Sequence, residues 1–293
     1  MSETGVESIL ICDGHNMAYR AFFAIRNLST AAGIPTNAVF GFVREFCRMT
    51  AKLAPSHLVM VFDGGLPERR KALLDSYKAQ RPHMPEELRS QMALIRRYLD
   101  CANIYTICLD GEEADDVMAT IAMKAEADGA RRVVMATNDK DMYQVVSSRI
   151  AMYSTTGGIG LMGPEDVKNK TGVLPGLIPE WLALMGDSAD NIPGITGVGP
   201  KTASKLLNRF GSIDEVYANI EMVESERIRS NLKAGRGLLE RNVSLTKLIT
   251  DLKFKIEWDE MAATSPDHGR LLSFFEEMEF HRMAKDMREP QLF

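Results

Sequence analysis

The chain has 293 residues, 45% hydrophobic and 26% charged, with a formal net charge of −5. This is the make-up of a globular chain with room for one large domain or two ordinary ones, and a core of that size needs no disulfide or zinc staple. Apolar runs such as HLVMVF are strand-sized, far below the roughly 18 residues of a membrane helix. The polar start MSETGVES does not read as a signal peptide, so a cytoplasmic protein is expected. Cys12, Cys47, Cys101 and Cys108 form no CxxC pair and no zinc spacing, and are expected as buried reduced thiols.

In chain order, the run SILICDG ends at Asp13, and Ala38 to Leu53 carries Val39, Phe42, Val43, Phe46 and Met49 at helical spacing. HLVMVFDGG ends at Asp63, and Glu87 to Leu99 is again helical in period, with Leu88, Met92, Leu94, Ile95 and Leu99 apolar. NIYTICLDG leads into the helix-like EEADDVMATIAMKAEADG, and RRVVMATNDKD ends at Asp139 and Asp141. Five-residue runs of Val, Ile, Leu and Met suit strands buried on both faces, and their alternation with helices predicts an α/β fold around a mostly parallel central sheet flanked by helices. In such sheets ligands bind at the carboxyl ends of the strands, which is where Asp13, Asp63, Asp139 and Asp141 fall. From about Met162 prolines punctuate short helical pieces, so residues 1–183 read as the core and 184–293 as a helical region. Pro266 to Lys285 is expected as one last helix, with Leu271, Leu272, Phe275, Met278 and Phe280 on its buried side.

GEEADD sets Glu113 and Asp116 three residues apart on one helical face beside Asp115, and MGDSADN does the same with Asp187 and Asp190. Taken singly, these are acids that a helix N-terminus favours or ordinary caps, and each Asp-Gly pair is a common turn. Together, nine carboxylates facing one cleft repel one another, and divalent cations supply the compensation. An all-oxygen set without His or Cys selects Mg²⁺ or Mn²⁺. Two such ions roughly 4 Å apart can activate a water and stabilise both attacking and leaving oxygens of a phosphodiester. The expected chemistry is metal-assisted phosphate-ester hydrolysis.

Two basic elements accompany the acids. Arg69, Arg70, Lys71, Lys78, Arg81, Arg89, Arg96 and Arg97 form a net-positive insert directly after Asp63, expected to rise beside the cleft, with Lys78, Arg81 and Tyr77 suited to clamp a phosphate and stack a base. GVGPKTASKLLNRF places Gly197 and Gly199 at a tight turn ahead of a helix whose Lys201, Lys205 and Arg209 make a cationic stripe. Arg227, Arg229, Lys233, Arg236 and Arg241 extend the charge. The bland alternative for each is a solvated helical face. Segregated signs reconcile a negative net charge with a nucleic-acid partner.

The ordered motifs DGHNMAYRAFFA, VFDGG, YKAQRPHMPEEL, GEEADD, TNDKDMYQ, MGDSADNIPGITGVGPKTA and FFEEMEF resemble the bacterial and phage 5′ nuclease (flap endonuclease) family, which includes the 5′→3′ exonuclease domain of DNA polymerase I. The resemblance runs from about Ser8 to Met287 and implies a PIN-like nuclease core, a helical arch over about 66–99, and a helix–three-turn–helix over about 191–210 that grips duplex DNA and holds K⁺. It implies that Asp13, Asp63, Glu113, Asp115, Asp116, Asp139, Asp141, Asp187 and Asp190 bind metal. It implies further that Arg20, Lys78 and Arg81 meet the scissile phosphate, that Tyr77 stacks on a base, and that Arg70, Gly197, Gly199, Lys201, Thr202, Lys205 and Arg209 bind DNA. The substrates implied are 5′ flaps, 5′ ends and nicks, with RNA-containing flaps left open. Nothing in the sequence requires more than a monomer, working alone or with a polymerase. Two positions depart from the family pattern: Asn138 where small residues are usual, and Glu112 where an apolar or aromatic one is. A non-catalytic DNA-binding scaffold and a small phosphatase remain as rival readings.

Overall fold

The computed structural model describes residues 6–153 and 160–289. Six strands form one sheet: β1 (Ser8–Asp13), β2 (His57–Phe62), β3 (Tyr105–Cys108), β4 (Arg132–Ala136), β5 (Ile150–Tyr153) and β6 (Leu161–Met162). Their order is β3-β2-β1-β4-β5-β6, parallel except for the antiparallel edge strand β6. The winding reverses between β1 and β4, and that switch point opens a crevice at the carboxyl ends of those two strands.

Period-two alternation buries both faces of the central strands. Ile9, Ile11, Val59, Val61, Val133 and Met135 belong to one core, and Leu10, Cys12, Leu58, Met60, Val134 and Ala136 to the other. The second core is closed by α1 (Gly14–Ala24), α2 (Asn37–Leu53) and α4 (Glu86–Cys101), with the short α3 (Glu68–Leu73) leading toward α4. The first is closed by α5 (Ala114–Ala127) and continues without a break into α6 (Pro164–Thr171), α7 (Ile178–Met185), α8 (Pro200–Phe210), α9 (Ile213–Ala218), α10 (Glu226–Ala234) and α11 (Arg236–Thr246). A two-stranded ribbon, β7 (Gly186–Asp187) and β8 (Ile192–Pro193), links α7 to the turn before α8.

Three expectations are corrected. β5 and β6 add strands that four- and two-residue runs do not announce. The single last helix is two, α12 (His268–Glu277) and α13 (His281–Arg288), broken where Glu279 takes φ +57° and the Phe280 N–H donates to Phe275 O at 2.8 Å. The break turns Phe280 inward against Phe40 and Phe275. Both helices pack on the α1/α2/α4 face, so residues 184–293 are divided between the two sides of the sheet. Finally, Cys12 and Cys101 are buried but Cys47 and Cys108 are exposed. No described helix is long and apolar enough to cross a membrane.

Candidate metal centre and nucleic-acid interface

Each acidic side chain is placed by the end of a regular element. Asp13 closes β1 and caps α1, accepting from the Asn16 N–H at 2.9 Å and from Thr137 Oγ1 at 3.1 Å. The neighbouring Gly14 is required, because a Cβ there would lie 2.4 Å from the Phe62 ring. Asp139 follows β4 and caps a short turn, accepting from the Asp141 N–H at 3.0 Å. Asp63 follows β2 and accepts from the Ala114 N–H at 2.9 Å, which ties the β2 loop to the start of α5, where Glu113, Asp115 and Asp116 sit. Asp187 ends β7 and Asp190 lies in the turn between β7 and β8. That ribbon is tight enough that a Cβ on Gly186 or Gly194 would overlap backbone.

These elements converge. One oxygen from each of Asp141, Asp187 and Asp190 falls within a 4.8 Å cluster. Burial, opposed by the hydrogen bonds from Asn16 and Thr137 and reinforced by Asp63 and Asp139, pushes Asp13 up to about 7. Burial and then the charge of Asp139 raise both Asp115 and Asp141 well above the usual carboxylate range. Asp63 differs: hydrogen bonds from His15 and Ala114 outweigh its desolvation and hold it below its ordinary value. Asp141 Oδ1 is buried with no hydrogen-bond partner. An orphaned carboxylate oxygen among oxygen donors whose charges repel fits a hard divalent cation.

Half of the basic insert does not rise beside the cleft but reaches into it: Arg69, Arg70, Lys78 and Arg81 turn onto its acids, whereas Arg89 pairs with Glu86 and Arg97 with Glu277. Lys78 has a left-handed backbone, φ +55°, and its ammonium is buried against Glu113 and 3.6 Å from Asp190. Tyr77 is buried too, its hydroxyl shared between Glu113 and Asp190, so in this arrangement its ring offers no open stacking face. Arg81 reaches Asp190 at 2.6 Å. Arg70, expected among the DNA contacts, is instead 4% exposed and holds Asp116, Glu113 and the carbonyl of Leu245. Asp116 is withdrawn in the same way: Arg69, both Arg70 nitrogens and the Ile249 N–H occupy its two oxygens.

Arg69 also forms a two-pronged pair with Glu112, so the charge by which Glu112 departs from the family pattern is neutralised. The other departure, Asn138, does not use a left-handed backbone, since the described non-glycine residues with positive φ are Asn27, Ala54, Lys78, Asn103, Asn191 and Glu279. Arg20 lies along α1 in a groove with Arg44 and Glu45, and Glu45 and Arg48 act on its charge. Sequence reasoning passed over Thr137 and over Lys140, whose ammonium is 2.6 Å from Asp187. Lys140 stands between two of the singled-out acids in TNDKDMYQ, and that position was its one signal.

The second site is an open surface. Gly197 has φ +83° and Gly199 precedes α8, whose Leu206 and Leu207 face inward while Lys201 and Lys205 face out and Thr202 is half-buried. Ser204 fixes the buried side, donating to Thr171 O at 2.6 Å and accepting from Trp181 Nε1 at 3.0 Å. Lys205 and Arg209 both pair with Glu224.

The family model described as 5′-3′ exonuclease, N-terminal resolvase-like domain, matches residues 8–172, and the one described as 5′-3′ exonuclease, C-terminal SAM fold, matches residues 173–269. The chain belongs to the 5′–3′ exonuclease family. A 5′–3′ exonuclease of Aquifex aeolicus is 36% identical over 282 residues, 96% of either chain. A thermostable DNA polymerase I of Thermus thermophilus is 37% identical over 272 residues, and this chain spans about a third (32%) of its length. The same fold appears in a bacteriophage T5 flap endonuclease solved with DNA and metal ions (TM-score 0.68, 20% identity, 96% of this chain and 97% of the other). It appears again in the catalytic core of Rad2 with a DNA substrate (TM-score 0.64, 16% identity, 99% and 93%).

Proposed function

We propose that this member of the family is a structure-specific 5′ nuclease that hydrolyses DNA at 5′ flaps, 5′ ends and nicks, with Mg²⁺ as its ion and Mn²⁺ able to replace it. The observation that carries this reading is the carboxylate cluster of Asp141, Asp187 and Asp190, one member of which, Asp141, has a buried oxygen with no hydrogen-bond partner. Asp13, Asp63, Glu113, Asp115, Asp139, Asp141, Asp187 and Asp190 would hold two or more ions, and Asp116 would position Glu113 through Arg70, which bonds both. Bound there, the ions would supply an activated water and stabilise charge on the phosphodiester.

The chain's own residues do the rest. Lys78 and Arg81 neutralise Glu113 and Asp190 from one short segment, which leaves them next to the phosphate that enters the site. Once the carboxylates are balanced otherwise, these cations are free to hold that phosphate and stabilise its developing charge. The glycine turn at Gly197 and Gly199, with Lys201, Thr202, Lys205 and Arg209, would grip duplex phosphates without reading bases, and the family resemblance adds a K⁺ ion at this turn. RNA-containing flaps and a polymerase, fused or separate, belong to the same proposal.

The test is cleavage of an end-labelled 5′-flap duplex with Mg²⁺, against EDTA and against a 3′-flap duplex. Cutting at the 5′-flap junction with the 3′ flap spared is expected. Tight binding without cutting, under Mn²⁺ as well, would favour a non-catalytic scaffold, and neither binding nor cutting would favour a small phosphatase.

A further inference from the structure

The cations of the duplex-gripping face are not all equally available. A narrow groove of about 110 Å³ separates α8 from the segment leading into α10, lined by Thr202, Lys205, Arg209 and Phe210 on one side and by Val223 and Glu224 on the other. Glu224 bridges the groove, one oxygen 3.0 Å from Lys205 and the other 2.8 Å from Arg209. Its backbone is built to stay there: Val223 is buried, Arg229 donates to the carbonyl of Glu221 at 3.0 Å, and Ser225 caps α10. Glu221 in turn pairs with Lys233 and lies 3.8 Å from Arg229. By contrast, Lys201 and Arg227 have no carboxylate partner among the described residues, and Arg227 lies beside the glycine turn at Gly197.

We propose that Glu224 is a built-in competitor for DNA phosphate, a specificity-determining residue that limits duplex affinity by occupying Lys205 and Arg209. The inference rests on the reading of α8 as a duplex-gripping element. A phosphate reaching Lys205 must displace a carboxylate already there, so the stripe contributes less than its number of positive charges implies. Binding by cations with no intramolecular partner releases condensed counterions and is steeply salt-dependent. Cations that already carry a carboxylate release fewer. The face is thereby graded: an open anchor at the turn, Lys201 and Arg227, and a muted flank that still follows the backbone but lets the duplex go after cutting.

The test is anisotropy with a nicked duplex in EDTA across a salt series, using the full chain as wild type, Glu224→Gln, Lys205→Ala, the double variant, and Asp251→Asn. Asp251 is an exposed acid paired with Lys253, next to Leu252, which is bonded to Thr120 of α5, and controls for a bare change of net charge. Glu224→Gln is expected to tighten binding about three- to tenfold and to steepen the log–log salt slope by about one. Lys205→Ala should then cost more in the Glu224→Gln background than in wild type. Unchanged affinity in Glu224→Gln while Lys205→Ala weakens binding would overturn the inference and leave the gripping reading intact. Equal tightening by Asp251→Asn would overturn it as well. No effect of Lys205→Ala in either background would instead remove the gripping reading, and the inference with it.

Discussion

The acidic cleft and the α8 face are both made of carboxylates paired with lysines and arginines, yet the pairs do opposite work. In the cleft the partners are hidden: the Arg70 and Glu113 side chains are each 5% exposed and Asp116 is fully buried. On the α8 face Lys205 is 70% exposed and Glu224 67%. A buried pair that loses one partner leaves an uncompensated charge in a low-dielectric setting, whereas an exposed pair is screened by water and salt. Burial therefore turns one set of ion pairs into framework and leaves the other as an adjustable surface.

Breaking the buried side should have the largest effect. Arg70→Met removes the cation shared by Asp116 and Glu113 and should cost about 3–5 kcal/mol of stability, read by denaturant unfolding. A loss below about 1 kcal/mol would mean that the pair is not framework. Lys78→Ala, by removing an electrostatic donor at the site, should slow single-turnover cleavage by about two to three orders of magnitude with duplex affinity nearly unchanged. A rate near wild type would show that the ammonium never meets the phosphate.

Proton linkage separates the two regions further. Asp13 titrates near 7 in the folded chain against 3.8 as a free group, and Asp115 and Asp141 shift the same way. The folded state therefore holds these protons more tightly. For Asp13 stability is highest below about pH 4 and is lost as pH rises through about 7, and Asp115 and Asp141 act in the same direction. Asp63, held low, acts only below its ordinary value and leaves this window alone. Metal-free protein should thus melt at lower temperature as pH goes from 5 to 8, and saturating Mg²⁺ should flatten the curve; identical slopes with and without Mg²⁺ would contradict the argument. The smallest effect is expected on the exposed side, where Lys205→Ala should weaken binding about twofold to fivefold, equally for unrelated duplex sequences. A loss confined to one sequence would contradict phosphate gripping.

Much of this was legible in the sequence, for identifiable reasons. Strands buried on both faces read as plain apolar runs, so the strand ends, and with them Asp13, Asp63 and Asp139, were visible. The helices α2 and α4 start within one residue of expectation, since their regular apolar spacing marks them in the sequence. What was hidden depended on contacts remote in the chain. Arg69 and Arg70 meet their acids 43 to 47 residues away, and no local pattern tells a cation that faces DNA from one that folds back onto a carboxylate. The break at Glu279 was hidden because its cause is the packing of Phe280 against a helix more than 200 residues earlier. The charge of Glu112 is out of place in the sequence alone, and the position of Arg69 explains it.

The most direct test of the central claim, that the strand-end carboxylates form a centre for divalent ions, is a calorimetric titration of Mn²⁺ into the wild-type chain and into Asp141→Asn at neutral pH. The account predicts saturable binding of about two ions to wild type, with Asp141→Asn losing one ion or at least about tenfold in affinity. No binding to wild type, or the same stoichiometry and affinity in both proteins, would contradict it.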